Sequence, residues 1–151
     1  MIAVECYADT RLVLTLGITK ASVNHEYGKS RVLDALRTGR AKVGLVDEDP
    51  GAAEVPEMRN YRLAENLDGI RLLRHIGGPD RRVIVICPRL EEWMLGRAQK
   101  AGIDPSTFGL ANDPRKLHAS GRYDRHLKFP SFIKQLLAVD PEFQKLKEWL
   151  R

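Results

Sequence analysis

The sequence predicts an α/β domain with a small central, mostly parallel sheet and a helical C-terminal end. Short apolar runs alternate with segments of helical periodicity in the first part of the chain, and from Leu90 onward every segment has helical character. The length of 151 residues, with 43% hydrophobic and 30% charged residues, is typical of one globular domain. We therefore expect a single domain over residues 1–151, with an α/β core to about residue 101 and a basic helical part from about residue 102 to 151.

The N-terminal segments predict a strand followed by two helices. The apolar run 2–6 is the strand, and the helix after it has apolar residues at helical spacing until Gly17 ends it. The polar residues 20–29 predict a loop. Ser30 is the expected N-cap of the second, short helix, which ends before Gly39.

The middle of the chain predicts the rest of the sheet. Residues 42–46 are almost continuously apolar, which favours a central strand that is buried on both faces. An acidic, proline-containing stretch follows, to which we assign no element. Residues 70–76 and 83–87 are two further strands, and the short turn at 77–80 between them favours an antiparallel pair.

The remainder of the chain predicts helices. These are expected at 90–101, in short pieces near 113–119, at 131–139 and at 141–150.

Composition excludes several classes of protein. No run approaches the roughly 18 apolar residues of a membrane span, and the N-terminal residues do not resemble a signal peptide, so we expect a soluble, cytoplasmic protein. Two cysteines, Cys6 and Cys87, do not indicate a disulfide framework or a structural zinc site. Gly28-Lys29-Ser30 is not a P-loop, because Val23 stands where the first glycine is required and no strand directly precedes the loop.

Positive charge is concentrated at the C-terminal end. The formal net charge is +5. Residues 1–114 hold 16 Lys and Arg against 16 Asp and Glu, whereas residues 115–151 hold nine against four. Clustered cations gain from counterion release on a polyanion, so this end is typical of a phosphate-binding surface. A solvated helix face is the alternative interpretation.

Acidic residues follow two of the predicted strands. Glu5 ends the first strand, and Asp47 and Asp49 follow the strand 42–46. Ligands of open α/β sheets bind beyond the carboxyl ends of the strands, where these three carboxylates would share one crevice. In an extended segment Asp47 and Asp49 point to the same side, so both could reach one Mg²⁺ or Mn²⁺ ion. The alternative is that residues 47–51 are only a polar turn.

Four segments in this order resemble the Toprim superfamily, most closely its small, stand-alone members that are similar to OLD nucleases. The resemblance covers roughly residues 2–95 and implies a compact, Toprim-like (Rossmann-like) domain. The segments are Val4-Glu5-Cys6-Tyr7-Ala8-Asp9, His25-Glu26-Tyr27-Gly28-Lys29-Ser30, Gly44-Leu45-Val46-Asp47-Glu48-Asp49 and Cys87-Pro88-Arg89-Leu90-Glu91-Glu92-Trp93-Met94-Leu95.

The resemblance also implies roles for individual acids. Glu5 would be a metal ligand or general acid/base, and Asp47 and Asp49 would hold Mg²⁺ for phosphodiester chemistry. Asp9 occupies the place of a second acid in the OLD-like members and would be a further ligand. Glu91 or Glu92 would be a ligand of a second metal ion. The alternative is that these acids are present only because acids are favoured in the first turn of any helix.

Two residues of the second segment have a possible role in catalysis. Lys29 lies with Ser30 at a predicted helix N-terminus, where an ammonium and backbone N–H groups can hold a phosphate. We therefore place Lys29 with Glu5 among the catalytic residues; a plain cap beside a solvated lysine is the alternative. His25 could carry a proton near neutral pH, or could simply be an exposed loop residue.

The basic region interleaves cations with rings. Arg122, Arg125 and Lys128 stand beside Tyr123 and Phe129, a pattern that suits contact with a nucleic-acid backbone and stacking on an unpaired base. Such residues are also common on ordinary surfaces.

These observations predict a Mg²⁺- or Mn²⁺-dependent nuclease that cleaves a phosphodiester bond in DNA or RNA. Cys6 stands where the Toprim superfamily usually has glycine, which favours an alternative: a non-catalytic module that binds nucleic acid or a partner and keeps a degenerate metal site. A third hypothesis is an effector subunit that works with an ATPase partner in a defence or toxin system.

Overall fold

The computed structural model describes residues 1–151 as one six-stranded sheet with helices on both faces. The strands are β1 (Ile2–Val4), β2 (Val23–His25), β3 (Val43–Asp47), β4 (Tyr61–Asn66), β5 (Ile70–His75) and β6 (Gly78–Ile86). The helices are α1 (Tyr7–Thr15), α2 (Lys29–Arg37), α3 (Leu90–Ala101), α4 (Pro114–Ala119), α5 (Phe129–Val139) and α6 (Pro141–Leu150). Short 3₁₀ turns at Lys20–Ser22, Pro56–Asn60, Pro105–Phe108 and Tyr123–Arg125 lie between them.

The sheet is parallel on one side and antiparallel on the other. Its strand order is β2-β1-β3-β6-β5-β4. The first four of these strands are parallel to their neighbours, while β5 and β4 run antiparallel. The predicted mostly parallel sheet, the buried strand near residues 42–46 and the antiparallel pair of β5 and β6 are therefore confirmed. The four C-terminal helices also lie where the sequence predicts them.

Three strands and one helix start differ from the prediction. β6 begins at Gly78, inside the turn expected at 77–80, and ends at Ile86. The expected loop 20–29 contains β2, and the acidic stretch without an assigned element contains β4. Only Tyr61 of β4 is buried, and β2 is three residues long, so neither has an apolar pattern of its own. Both are edge strands that form by pairing with a neighbour. Ser30 is not the N-cap of α2, because the helix begins at Lys29 with Gly28 as its cap.

The sheet separates two apolar clusters. Alternate residues of the central strands point to opposite faces, so Val46 and Val85 face α2 whereas Leu45 and Ile84 face the other side. The larger cluster includes buried residues of α1 and of the C-terminal helices, such as Phe132 in α5. The basic C-terminal end therefore shares the main core with β1, β3, β5 and β6.

A buried ionic network fixes the last helices against the sheet. Arg97 of α3 donates to Asp140 over 2.7 Å and to Glu142 over 2.6 Å. Glu142 also accepts hydrogen bonds from the Trp93 indole and from the Gly69 N–H, each over 3.0 Å. Every charge in this network has a partner, as burial requires.

None of the six helices combines the length and apolar character needed to cross a bilayer.

Candidate functional site

The carboxyl ends of β1 and β3 bring two acids into contact. Glu5 directly follows β1, and Asp47 is the last residue of β3. The two strands are parallel neighbours in which Val4 pairs with Leu45. Glu5 Oε2 accepts a hydrogen bond from the Asp47 N–H over 3.1 Å. These predicted residues are therefore together although 42 positions separate them in the sequence.

Asp9 is buried beside them at the start of α1. Its side chain is 1% exposed, and its Oδ2 accepts a hydrogen bond from the Cys6 N–H over 3.1 Å. In return, Cys6 Sγ accepts from the Asp9 N–H, so the two residues form a reciprocal helix cap. Asp9 Oδ1 is buried and has no partner, and the same is true of Asp47 Oδ1. Two unpaired buried carboxylate oxygens are costly unless a proton or a cation satisfies them.

Burial and neighbouring negative charges raise the pKa values of these acids. Burial, together with the negative charges of Glu5 and Glu91, raises the pKa of Asp9 to about 7, although its hydrogen bonds with Cys6 act in the opposite direction. Burial likewise raises the pKa of Asp47 to about 8, with further contributions from the charges of Asp9, Glu5 and Glu91. These four acids are therefore one electrostatically coupled group. We name it the acidic cluster: Glu5, Asp9, Asp47 and Glu91.

Glu91 reaches the acidic cluster from the first turn of α3. Its Oε1 accepts a hydrogen bond from the Tyr123 hydroxyl over 3.1 Å and lies 3.3 Å from His118 Nδ1. Glu92, the other candidate, is directed elsewhere: its Oε1 lies 3.7 Å from a guanidinium nitrogen of Arg89. Of the two acids that start α3, Glu91 is thus the one electrostatically coupled to Asp9 and Asp47.

Asp49 is placed differently from Asp47. Its backbone has a φ of 52°, so the segment is not extended at this residue and the argument from alternating side chains is wrong here. Asp49 Oδ1 accepts a hydrogen bond from Arg89 Nε over 3.0 Å. Asp49 nevertheless lines one surface pocket of about 330 Å³ together with Glu5 and Lys29.

This pocket also includes the uncapped N-terminus of α2. No side chain caps the helix, whose N-cap is Gly28. Lys29 donates one hydrogen bond from Nζ to the Glu48 carbonyl over 2.9 Å, which leaves two of its three ammonium protons for another acceptor. The only two non-glycine residues with positive φ, Tyr27 and Asp49, both line the pocket. Backbone strain of this kind concentrates at functional sites.

The donor atoms of the acidic cluster suit a hard divalent cation. All are carboxylate oxygens, which Mg²⁺ and Mn²⁺ prefer, and two of them are buried without a partner. As the side chains stand, no three of the His, Cys, Asp or Glu side chains form a group that could hold a metal ion. The argument that the acidic cluster suits a cation therefore rests on the type of its donor atoms, their burial and their charge.

Of the predicted basic residues, Arg122 lies over the Tyr7 ring at the start of α1, whereas the rings of Tyr123 and Phe129 are buried. Arg122 pairs with both oxygens of Asp124 over 2.9 Å. Arg125 and Lys128 are exposed and form no ion pair. The expectation that neighbouring rings stack on a base is wrong for Tyr123 and Phe129, which are 7% and 0% exposed and belong to the core.

Sequence reasoning missed a different set of rings. His25 stacks on Tyr27 with ring centroids 3.9 Å apart, and the edge of Tyr7 meets His25 at 4.3 Å. The guanidinium carbon of Arg122 lies 3.9 Å from the centroid of the Tyr7 ring. Tyr7 and Tyr27 are 44% and 62% exposed. No sequence pattern indicates that Tyr7 and Tyr27 are neighbours, because they come together only when β2 pairs with β1.

The side chains at this end of the sheet are of the chemical types that bind divalent cations and phosphates. Acids, an ammonium and a helix N-terminus meet at one end of the sheet, as anion and cation binding require. No family model, curated protein or solved structure matches the chain.

Proposed function

We propose that this protein is a Mg²⁺- or Mn²⁺-dependent nuclease that hydrolyses phosphodiester bonds in nucleic acid. The observation that carries the proposal is the acidic cluster, in which Asp9 and Asp47 each have a buried carboxylate oxygen without a partner. The resemblance of residues 2–95 to the Toprim superfamily implies the same chemistry.

The acidic cluster supplies the ligands in this proposal. Glu5, Asp9 and Asp47 would hold one cation, and Glu91 would contribute from α3. When bound, the cation would neutralise the phosphate, orient the attacking water and stabilise the leaving oxygen. Its charge would also lower the raised pKa values of Asp9 and Asp47, so that both acids ionise at neutral pH. Glu5 lines the open pocket and would exchange a proton with water there.

The opposite wall of the pocket supplies positive charge for the substrate. Lys29 and the backbone N–H groups at the N-terminus of α2 would hold a phosphate oxygen. Because Lys29 is fixed by the Glu48 carbonyl, its ammonium is already oriented before the substrate binds. Asp49 lines the same pocket and pairs with Arg89 through Oδ1, which leaves its Oδ2 free to act as a ligand.

The test is to titrate Mg²⁺ and Mn²⁺ into the protein by calorimetry and to measure cleavage of labelled DNA and RNA. The variant is Asp47→Asn, which keeps the shape of the side chain and removes its charge. We expect the wild-type protein to bind the ion and to cleave, and the variant to lose at least about 100-fold in cleavage rate, as the loss of an electrostatic catalytic group typically does.

The matched control is Asp68→Asn, since Asp68 is 83% exposed and pairs only with Lys100. It should bind and cleave like the wild-type protein. Cleavage by Asp47→Asn at the wild-type rate would refute the proposal, as would a wild-type protein that cleaves none of the substrates with either ion.

A non-catalytic nucleic-acid-binding module is the second candidate. It is favoured by the reciprocal cap between Cys6 and Asp9, which satisfies one oxygen of Asp9 without a cation. The raised pKa values also let protons satisfy Asp9 and Asp47 near neutral pH. Binding of an oligonucleotide that a chelator leaves unchanged, without cleavage in Mg²⁺ or Mn²⁺, would identify this function.

A further inference from the structure

We propose that Tyr27 stacks on an unpaired base and that the substrate of this site is a single strand of nucleic acid. The inference names the substrate class of the nuclease and in that sense rests on the proposed function. It is carried by an independent feature, which we name the aromatic platform: Tyr7, His25 and Tyr27.

The aromatic platform is ordered before any ligand binds. The rings of His25 and Tyr27 are nearly parallel, at 22°, and Tyr7 stands across both. The hydroxyl groups of Tyr7 and Tyr27 lie 3.2 Å apart, within hydrogen-bonding distance. An exposed ring that is already fixed loses little conformational freedom when a base covers it.

One face of Tyr27 remains open. His25 covers a single face of the ring, yet the residue is 62% exposed, so the exposed area belongs to the outer face and the ring edge. Tyr27 holds this position in a left-handed backbone conformation with a φ of 57°. The next residue fixes the loop, because the Gly28 N–H donates to the Glu5 carbonyl over 3.2 Å. The backbone of the residue after Tyr27 is thus held by the backbone of Glu5, a residue of the acidic cluster.

The position of Tyr27 relative to the acids determines which substrate fits. Tyr27, Glu5 and Lys29 line the same pocket of about 330 Å³. A base stacked on Tyr27 therefore has its own phosphate beside the acids and the ammonium. Bases in a duplex are stacked on their neighbours and do not present a face to a protein ring, whereas single strands do. The geometry favours a strand without a partner.

Charge around the aromatic platform is complementary to a nucleic-acid backbone. Arg122 lies over Tyr7 and is held there by Asp124. The exposed, unpaired cations Arg125 and Lys128 follow in the next few residues. Rings interleaved with cations form the usual surface for single strands. Here the rings come from α1, β2 and the loop before α2, while the cations come from the C-terminal part.

The experiment measures binding of fluorescent 12-nucleotide strands in EDTA. The strands are thymidine and uridine oligomers, an abasic strand of equal charge, and the duplex form. The wild-type protein should bind the thymidine or uridine oligomer more tightly than the abasic strand and the duplex. Tyr27→Ala should weaken that binding roughly 5- to 150-fold, the range for loss of one stacked base, whereas Tyr27→Phe keeps the ring face and should bind like wild type.

The outcomes separate this inference from the nuclease proposal. Equal binding of base-bearing and abasic strands by the wild-type protein would overturn the stacking site without any variant, and so would undiminished binding by a folded Tyr27→Ala protein. Absence of oligonucleotide binding also counts against it. Base-dependent binding without cleavage in Mg²⁺ or Mn²⁺ would support the aromatic platform and refute the nuclease; the thymidine and uridine arms distinguish DNA from RNA.

Discussion

At the residue scale, Asp47 links the end of β3 to the proposed metal site. Its backbone N–H donates to Glu5, while its own Oδ1 is buried without a partner. Burial disfavours the ionised carboxylate when no cation is bound, and the neighbouring charges of Asp9 and Glu5 add to this effect, so the pKa of Asp47 is raised to about 8. The cost of this arrangement should therefore depend on pH.

We expect the stability of the metal-free protein to fall as pH rises from about 4 to about 8. Asp9 and Asp47 have folded pKa values of about 7 and about 8, above the ordinary value of 3.8, so the folded chain binds more protons than the unfolded chain in this window. The slope of the unfolding free energy against pH is then negative for these two groups.

Urea unfolding in EDTA between pH 5 and pH 8 measures this effect. Asp47→Asn lacks one of the two groups, so its unfolding free energy should fall less with pH than that of the wild-type protein. Parallel curves for the two proteins would show that Asp47 has no raised pKa in the folded chain.

At the scale of elements, α3 and α6 pack against the sheet at Gly69. This contact leaves no room for a side chain at Gly69. A Cβ at this position would lie 2.2 Å from Trp93 Cδ1 and 3.0 Å from Glu142 Oε1. Glu142 is also the acceptor for the Gly69 N–H, so a shift of this loop would disturb the network that includes Arg97. This turn is therefore part of the anchoring of the C-terminal helices.

Gly69→Ala should destabilise the protein by about 1–3 kcal/mol through overpacking. The matched control is Gly96→Ala in α3, where an added Cβ meets nothing within 4 Å. That variant should be neutral or more stable by up to about 1 kcal/mol, because alanine favours the helix. Midpoints of urea unfolding provide the comparison, and equal midpoints for the two variants would contradict the close approach of Trp93.

At the scale of the whole molecule, negative and positive charges lie in different regions and would act in opposite ways on a nucleic acid. The acids at the carboxyl end of the sheet would repel a polyanion, while the excess of cations in residues 115–151 would attract it. A nucleic acid that binds here must therefore be held partly by contacts away from the acids, and the strength of those contacts must depend on salt.

Removing two of these cations should reduce the salt dependence of single-strand binding. Each phosphate contact contributes about 0.7 to the slope of log K against log salt, so Arg125→Gln with Lys128→Gln should lower the slope by about 1.4. Arg59→Gln, an exposed cation outside the basic region, is the control and should leave the slope unchanged. Equal slopes for the double variant and the wild-type protein would exclude phosphate contacts by Arg125 and Lys128.

Much of the fold could be predicted from sequence because periodicity is a local property. The buried strand β3, the pair of β5 and β6, and the helix Leu90–Ala101 follow from apolar spacing and from turn residues. The edge strands β2 and β4 could not be predicted in the same way, since their conformation comes from a neighbouring strand.

The candidate site likewise combines local features, which the sequence shows, with tertiary contacts, which it does not show. The sequence alone determined that acids follow apolar strands and that positive charge is concentrated at the C-terminal end, because both are properties of neighbouring residues. Only the tertiary structure decided that Asp9 and Glu91 join Glu5 and Asp47, that Asp49 pairs with Arg89, and that the exposed rings are Tyr7 and Tyr27 rather than Tyr123. These contacts depend on strand pairing and helix packing, which bring together side chains that are tens of residues apart.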